Sequence, residues 1–181
     1  MKWSDSVANV IREEKGMNDI VLIGMPGAGK STVGVVLAKK LGYRFVDSDL
    51  VIQDRTGKVL HDIITEKGLE GFLQVEEDVN ASLECDQTVI ATGGSVVYGA
   101  KAMEHLKQIG QVVYLKLSYD AVAERLGDLQ ERGVALKKDQ TLTDLYEERV
   151  PLYEKYADVT VDCEGKMIRE IVAELVQKTN G

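Results

Sequence analysis

The sequence predicts an α/β fold in which helices cover both faces of a parallel sheet. Three observations support this prediction. A glycine-rich loop that carries a lysine and a serine lies between an apolar run and a helical stretch. Short apolar runs, typical of buried strands, then alternate with helical patterns along the chain. The length of 181 residues, with 44% hydrophobic and 29% charged content, is ordinary for one globular domain.

The alternating pattern predicts each element in turn. The apolar runs predict five strands, at 20–23, 44–46, 88–91, 112–116 and 159–161. The intervening segments predict eight helices, at 31–41, 49–56, 59–67, 70–83, 100–108, 119–126, 142–156 and 166–178. Because at least one helix separates each strand from the next, we expect the strands to run parallel.

Residues 1–18 are predicted to form an amphipathic N-terminal helix ahead of a domain that spans 19–181. Ser4 or Asp5 is placed to cap this helix, and apolar residues recur on one stripe of it. The sequence leaves open whether the extension packs on the domain or contacts a partner.

The composition argues against several classes of function. A net charge of −8 argues against a general nucleic-acid binder. No apolar stretch approaches the ~20 residues of a membrane span, and residues 1–17 lack the core of a secretory signal. Cys85 and Cys163 stand far apart without a metal-ligand pattern, as expected of small buried side chains in a reducing cytosol. We therefore expect a cytoplasmic protein, a monomer or weak dimer, that binds neither nucleic acid nor a membrane.

The glycine-rich loop has the sequence G-M-P-G-A-G-K-S at residues 24–31, which fits the P-loop pattern G-x-x-x-x-G-K-[ST] at every required position. In such a loop, backbone N–H groups and the start of the following helix hold a phosphate chain. Lys30 is placed to reach the β- and γ-phosphates, and Ser31 to ligate Mg²⁺. A plain glycine-rich turn would require neither side chain. The residues predicted to bind the nucleotide in this segment are Gly24, Gly27, Ala28, Gly29, Lys30, Ser31 and Thr32.

Two carboxylates follow the second predicted strand. Asp47 and Asp49 lie at the strand end where parallel sheets bind ligands. One is suited to support Mg²⁺ and the other to accept a proton from a substrate hydroxyl. The alternative is that Ser48 or Asp49 caps the following helix, and the two roles are compatible.

Gly93, Gly94 and Ser95 follow the third predicted strand, at the same edge of the sheet as the P-loop. Two glycines permit a ligand to approach the backbone closely, although a tight turn explains them equally well.

Three arginines are candidates to stabilise the charge of a transferring phosphoryl group. Arg125 and Arg132 flank the start of a polar segment at 127–140, which predicts a mobile lid or, alternatively, a solvated surface loop. Arg149 lies late in a predicted helix. The alternatives for these arginines are surface salt bridges or, for Arg149, a pair with a neighbouring glutamate of its own helix.

Together these segments resemble the shikimate kinases. The resemblance implies a P-loop, nucleoside-monophosphate-kinase-like fold of three layers, with a five-stranded parallel sheet of order 2-3-1-4-5. It also implies ATP, Mg²⁺ and a small hydroxylated substrate. The segments that carry it, in family order and spacing over residues 19–178, are the P-loop, Asp47-Ser48-Asp49, Gly68 with Phe72 and Glu76, Ala91-Thr92-Gly93-Gly94, Arg132, and Arg149-x-Pro151-Leu152-Tyr153.

The resemblance implies roles at the nucleotide end of the site. Lys30 and the P-loop amides hold the phosphates, and Ser31 and Asp47 hold Mg²⁺. Arg132 closes with the lid over the phosphates, and Arg125 lies beside the adenine. Lys30 and Arg132 are thereby expected to be catalytic.

The acceptor end is implied in the same way. Asp49 binds the acceptor hydroxyls and is the catalytic base. Gly93 and Gly94 present backbone donors to the acceptor, and Arg149 reaches its carboxylate.

Three positions depart from the family pattern. The arginine that clamps the shikimate carboxylate is Leu73 here, the third glycine after strand three is Ser95, and the lid sequence R-P-L-L reads R-G-V-A at 132–135. Leu73 and Ser95 stay in the predicted acceptor-binding set. Removing one partner of a buried charge pair costs about 2–5 kcal/mol, which Arg149 alone does not easily offset. Because position 73 is leucine, Glu76 also lacks an arginine one helical turn away.

The sequence leaves three hypotheses of function. The first, which we favour, is an ATP-dependent kinase of shikimate kinase type that transfers the γ-phosphoryl group to a small-molecule hydroxyl. The second is the same chemistry on another alcohol, less anionic or bearing an amine, unless Lys58 or Arg55 replaces the missing arginine. The third is a nucleotide-binding regulatory module without catalysis, which the presence of Lys30, Ser31 and Asp49 argues against.

Overall fold

Five parallel strands form the sheet of the protein. In the computed structural model, which describes residues 18–127 and 134–179, the strands lie in the order β2-β3-β1-β4-β5. Their bounds are Asp19–Ile23 (β1), Arg44–Asp47 (β2), Thr88–Ala91 (β3), Gly110–Lys116 (β4) and Val159–Asp162 (β5). Every strand pair in the sheet is parallel. The predicted fold class and strand order are therefore confirmed.

Seven α-helices and one 3₁₀ helix are found in the described residues. The α-helices are Lys30–Leu41 (α1), Ser48–Thr56 (α2), Leu60–Ala81 (α3), Ala100–Ile109 (α4), Tyr119–Leu126 (α5), Leu142–Tyr156 (α6) and Ile168–Thr179 (α7), and the 3₁₀ helix is Val96–Tyr98. The helices predicted at 59–67 and 70–83 form one element, α3, which Gly68 interrupts with φ 72° and ψ 178°. Among residues 18–127 and 134–179, no helix is long and apolar enough to cross a membrane.

Two parts of the sequence prediction fall outside the described residues. The N-terminal helix predicted at 1–18 lies there except for its last residue, and so do residues 128–133 of the predicted lid.

The main core lies between the sheet and its helices. All five residues of β1 are buried, as expected of a central strand in a parallel sheet with both faces covered. Tyr114 of β4 stacks on Tyr153 of α6 with ring centroids 5.2 Å apart, which packs α6 against the sheet. A smaller apolar cluster forms beside α2 and α3, from Ile52, Ile63, Phe72, Val79 and Ala135.

The topology brings the carboxyl ends of three strands to one edge of the sheet. Leu22 of β1 pairs with Ala91 of β3, and Ala91 pairs with Asp47 of β2. The chain therefore leaves these three strands side by side, at the carboxyl edge where open α/β sheets bind ligands.

Candidate active site

A cavity of about 320 Å³ opens at this edge of the sheet. It brings together the P-loop, the first turn of α2, one face of α3, the loop after β3, residues 134–135 and α6. The residues that line it are Pro26, Gly27, Gly29, Lys30, Ser31, Thr32, Asp49, Leu60, Phe72, Glu76, Thr92, Gly93, Gly94, Ser95, Val134, Ala135 and Arg149.

The P-loop holds Lys30 in a buried position at the start of α1. Gly29 is the N-cap residue, with φ 88°, a conformation that favours glycine. Lys30 is only 8% exposed, and its Nζ donates hydrogen bonds to the carbonyl oxygens of Gly24 and Met25 at 2.8 and 2.9 Å. Burial lowers the pKa of Lys30 to about 8, while the charge of Asp49 opposes that shift. The ammonium is therefore charged at neutral pH and lies within the loop that would hold phosphates.

Asp47 connects the P-loop to α2. Its Oδ2 accepts a 2.7 Å hydrogen bond from Ser31 Oγ, and its Oδ1 accepts one of 3.0 Å from the Asp49 amide. Asp47 is thus the N-cap of α2. The alternative that Ser48 or Asp49 caps this helix is not what the structure shows, because α2 begins one residue earlier than predicted and the cap position shifts with it.

Asp49 lines the cavity in the first turn of α2. Burial raises the pKa of Asp49 to about 6, and the charge of Asp47 acts in the same direction while that of Lys30 opposes it. A carboxylate with this pKa is ionised at pH 7 and is basic enough to take a proton from a bound hydroxyl in a transition state.

The glycines after β3 lie against charged side chains. A Cβ on Gly93 would lie 2.5 Å from Glu76 Oε1 and 2.9 Å from Asp49 Oδ1. A Cβ on Gly94 would lie 2.9 Å from Arg149 Nη1. These positions need glycine because a side chain there would displace the polar groups of the cavity, which favours close approach over a plain turn.

Glu76 is a buried carboxylate in the cavity wall. It is 1% exposed, and its Oε2 accepts a 2.6 Å hydrogen bond from Ser95 Oγ. Among the residues that the structure describes, none hydrogen-bonds its Oε1. Burial raises the pKa of Glu76 to about 7, against the Ser95 hydrogen bond and the charge of Arg149, and the Asp49 charge adds to the rise.

Arg149 is held by residues outside its own helix. It is 1% exposed, its Nη2 donates to the Ala135 carbonyl at 2.9 Å, and its Nε donates to the Tyr98 hydroxyl at 3.3 Å. Glu148, a helical neighbour, instead accepts hydrogen bonds from Tyr98 and Lys137. The alternative of an intrahelical pair for Arg149 is therefore not what the structure shows.

Leu73 lies away from the cavity wall, although the sequence places it in the acceptor-binding set. Its side chain packs against the smaller apolar cluster. Among the described residues, the cations that line the cavity are Lys30 and Arg149. Lys58 forms an ion pair with Glu66, and Arg55 Nη1 donates to Ser82 Oγ at 2.6 Å, so neither replaces the missing arginine.

Two predicted arginines remain, Arg125 and Arg132. Arg125 Nη1 donates to the Gly27 carbonyl at 3.3 Å, beside the P-loop. Arg132 falls outside the described residues.

Sequence reasoning did not place Glu76, Phe72 or Tyr98 among the site residues. Phe72 and Glu76 are four residues apart on α3 and share a face of it, which is a readable signal once that face is known to meet the P-loop edge. Tyr98 follows the glycines of the third loop, but no local pattern indicates that its hydroxyl meets Arg149.

Residues 26–180 match the family model of shikimate kinase. The chain belongs to the shikimate kinase family. It is 36% identical to the shikimate kinase of Bacillus anthracis over 165 residues, which covers 91% of this chain and 99% of that one. It is 37% identical to the shikimate kinase of Persephonella marina over 161 residues, with coverage of 88% and 98%.

Solved structures of shikimate kinases share the fold. The structure of the shikimate kinase from Acinetobacter baumannii in complex with shikimate has a TM-score of 0.80 and 33% identity, covering 92% of this chain and 95% of that one. The shikimate kinase from Aquifex aeolicus has a TM-score of 0.71 and 31% identity, covering 90% and 99%. As a shikimate kinase family member, the chain is an ATP-dependent phosphotransferase that acts on a small-molecule hydroxyl. Neither a different alcohol nor a non-catalytic module is favoured by these comparisons.

Proposed function

We propose that the protein transfers the γ-phosphoryl group of Mg²⁺-ATP to a hydroxyl of shikimate, in the biosynthesis of aromatic amino acids. The observation that carries this proposal is that Lys30, Asp49 and Arg149 line the same cavity. These groups are a phosphate-binding cation, a carboxylate base and a guanidinium suited to a carboxylate. A relative that is 33% identical has been solved with shikimate bound, which supports the choice of acceptor.

The nucleotide would lie along the P-loop. The amides of this loop and the N-terminus of α1 are suited to the phosphates, and Lys30 adds the charge that the β- and γ-phosphates require. Arg125 and Arg132 are proposed to complete the adenine side and the closed lid. The residues assigned to the nucleotide are Gly24, Gly27, Ala28, Gly29, Lys30, Ser31, Thr32, Arg125 and Arg132.

Ser31 and Asp47 offer two hard oxygen ligands that are already 2.7 Å apart. Mg²⁺ usually takes one or two protein oxygens and completes its shell with waters and substrate phosphates, so this pair fits the ion. In residues 18–127 and 134–179 no group of three or more histidine, cysteine or acidic side chains could hold a metal by itself. Bound there, Mg²⁺ would neutralise charge on the phosphates during transfer.

Asp49 is proposed to be the base for the acceptor. As the acceptor oxygen forms its bond to the γ-phosphorus, its proton passes to the Asp49 carboxylate and the bond from the γ-phosphorus to the β–γ bridging oxygen breaks, which releases ADP. The raised pKa of Asp49, about 6, matches this task near neutral pH. Asp49, in the first turn of α2, lies beside Gly93, and the backbones of Gly93 and Gly94 would contact the acceptor.

Arg149 is proposed to bind the carboxylate of the acceptor. Its Nε and Nη2 are fixed by Tyr98 and Ala135, and its Nη1 lies near Gly94 in the cavity wall. With Leu73 directed into the apolar cluster, Arg149 carries this interaction without the second arginine of the family pattern.

ADP release from Mg²⁺-ATP, with and without millimolar shikimate, tests the proposal. We expect saturable stimulation by shikimate in the wild type. Lys30→Ala should lower the rate at least about 100-fold, since it removes charge stabilisation of the transferring group. Lys39→Ala, an exposed lysine of α1, is the matched control and should be unaffected. ATP binding without any stimulation by shikimate would contradict this acceptor.

Four sequence predictions stay predictions. They are a cytoplasmic location, the absence of nucleic-acid and membrane binding, a monomeric or weakly dimeric state, and the division into an extension at 1–18 and a domain at 19–181. Light scattering on the full chain, and on a chain lacking residues 1–18, would test the last two.

A further inference from the structure

The buried arginine of the cavity has two of its three nitrogens held by the protein. Arg149 Nε donates to the Tyr98 hydroxyl at 3.3 Å, and its Nη2 donates to the Ala135 carbonyl at 2.9 Å. The third nitrogen, Nη1, lies 2.9 Å from the position that a Cβ on Gly94 would occupy, in the cavity wall. The guanidinium is therefore fixed in one orientation, with Nη1 on the side of the cavity.

The Tyr98 hydroxyl can accept from Arg149 because its own proton is engaged elsewhere. It donates to Glu148 Oε1 at 2.7 Å, and a phenol has a single O–H donor, so a lone pair is left for Arg149 Nε. The hydrogen bond from Tyr98 lowers the pKa of Glu148, and Lys137 acts in the same direction against burial. Lys137 Nζ donates to both oxygens of the Glu148 carboxylate at 3.0 Å. Hydrogen bonds therefore run without a break from Lys137 to Arg149.

We propose that Tyr98 is a positioning residue for acceptor binding: its hydroxyl, held by Glu148, fixes Arg149 in the orientation in which the guanidinium binds the carboxylate of the acceptor. This inference rests on the proposed function and adds a residue to it. Among the described residues, the cations that line the cavity are Lys30 and Arg149, and Lys30 is bonded to carbonyls of the P-loop. The acceptor carboxylate thus depends on one guanidinium, and a side chain that is already ordered loses little conformational entropy on binding.

The packing of α6 does not require the Tyr98 hydroxyl. Tyr153 of α6 donates to the Gly94 carbonyl at 2.6 Å and stacks on Tyr114, so other contacts already join this helix to the sheet and to the loop after β3. The face of the Tyr98 ring also contacts Arg149, whose Cζ lies 5.3 Å from the ring centroid. A substitution that removes only the hydroxyl keeps these contacts and tests the two hydrogen bonds alone.

The test compares Tyr98→Phe with the wild type in the shikimate-dependent ADP-release assay. Without the hydroxyl, the Arg149 side chain must be ordered when the acceptor binds, which lowers affinity roughly 3- to 10-fold. We expect the KM for shikimate to rise by this factor, with kcat and the KM for ATP unchanged, as for a loss of uniform binding. Tyr43→Phe, a half-buried tyrosine just before β2, is the matched control and should change none of these constants. An unchanged KM for shikimate in Tyr98→Phe would overturn the inference.

A double variant separates positioning from a general disturbance of the cavity. Arg149→Lys leaves no guanidinium to be positioned, so adding Tyr98→Phe to it should change the KM for shikimate by less than about 2-fold. Glu148→Ala should raise this KM in the wild-type background, because the Tyr98 hydroxyl loses the acceptor that fixes its proton. Glu147→Ala, its exposed neighbour on α6, is the control and should not raise it. Full additivity of Tyr98→Phe and Arg149→Lys would overturn the inference.

A binding measurement separates this inference from the choice of shikimate. Cyclohexanecarboxylate and cyclohexanecarboxamide share a ring, but only the first is charged. Their binding to the wild type and to Tyr98→Phe is measured by ligand-observed NMR in the presence of Mg²⁺-ADP. We expect the wild type to prefer the carboxylate, and the variant to lose roughly 3- to 10-fold of that preference. If shikimate is not turned over but this loss is found, the proposed function fails and the inference stands. If the wild type shows no preference, or the variant keeps all of it, the inference is overturned.

Discussion

Ser31 Oγ donates a 2.7 Å hydrogen bond to Asp47 Oδ2, and this contact joins the first turn of α1 to the end of β2. The other oxygen of the same carboxylate accepts from the Asp49 amide and caps α2. One side chain therefore connects the P-loop to the helix that carries the proposed base. A change at Asp47 is expected to affect the metal without moving Asp49, provided that the cap is preserved.

The substitution Asp47→Asn separates the effect of the Asp47 charge from the effect of the helix cap that Asp47 forms. Asparagine is also a good N-cap, so α2 should keep its start, whereas the loss of a carboxylate weakens a Mg²⁺ site. We expect the Mg²⁺ concentration for half-maximal activity to rise roughly 10- to 100-fold, measured by titrating Mg²⁺ at saturating ATP. Asp54→Asn, on the exposed side of α2, serves as the control. An unchanged Mg²⁺ requirement would remove Asp47 from the metal site.

Asp49→Asn should lower kcat by about 10²- to 10⁴-fold, the range of general acid–base catalysis, while the affinity for ATP stays within a few-fold. The wild-type kcat/KM should rise with pH through about 6, because only the ionised Asp49 accepts a proton. The same kcat/KM should fall above about pH 8, because the Lys30 ammonium of the free enzyme, whose pKa is about 8, loses its charge there. A pH–rate profile of both proteins checks this. If Asp49→Asn turns over at the wild-type rate, Asp49 is not the base.

Arg149→Lys keeps the positive charge but loses the planar fork that bonds Ala135 and Tyr98. We expect the KM for the acceptor to rise roughly 10-fold or more, as one hydrogen bond to a charged group is lost, with the KM for ATP little changed. Steady-state kinetics with each substrate varied in turn would measure the two KM values. Arg169→Lys, an exposed arginine of α7, is the control. Equal loss of affinity for both substrates would instead indicate a general disturbance of the cavity.

Asp19→Asn should stabilise the fold at neutral pH. Asp19 is 2% exposed; its Oδ1 accepts from the Thr88 amide at 2.9 Å, and its Oδ2 has no partner in the described residues. Burial raises the pKa of Asp19 to about 6 from 3.8. Between these values the unfolded chain is ionised while the folded one holds its proton, so stability falls as the pH rises through this window.

The asparagine variant avoids that loss and keeps an acceptor for Thr88. We expect its free energy of unfolding to be about 1–3 kcal/mol higher than that of the wild type at pH 7.5. The difference between the two proteins should be smaller at pH 4.5. Thermal unfolding at both pH values, scanned by circular dichroism, measures the difference. If the difference in the free energy of unfolding does not depend on pH, the Asp19 charge is not its cause.

Much of the fold could be predicted because its signals are local. The five strands were recognised from short apolar runs, and the P-loop from eight consecutive residues whose backbone conformation glycine permits. The break at Gly68 was also visible in the sequence, since the helical pattern stops and restarts there. The parallel order of the sheet and the identity of the family came from several such segments in register.

The site was predicted less completely because its contacts are not local. Ser48 and Asp49 were the alternatives considered for the cap of α2, yet Asp47 forms it, because sequence propensity does not fix the first residue of a helix to within one position. Leu73 was assigned to the acceptor site from its place in the pattern, but its side chain turns into the apolar cluster. Arg149 was recognised, but its partners were not.

The sequence by itself determined the elements, their parallel connection and the phosphate-binding loop, since each depends on periodicity or on a few adjacent residues. The tertiary structure alone decided which side chains meet. Ser95 meets Glu76 across 19 residues, and Arg149 meets Tyr98 across 51. Such partners are set by how α3, α6 and the loop after β3 pack against the sheet edge.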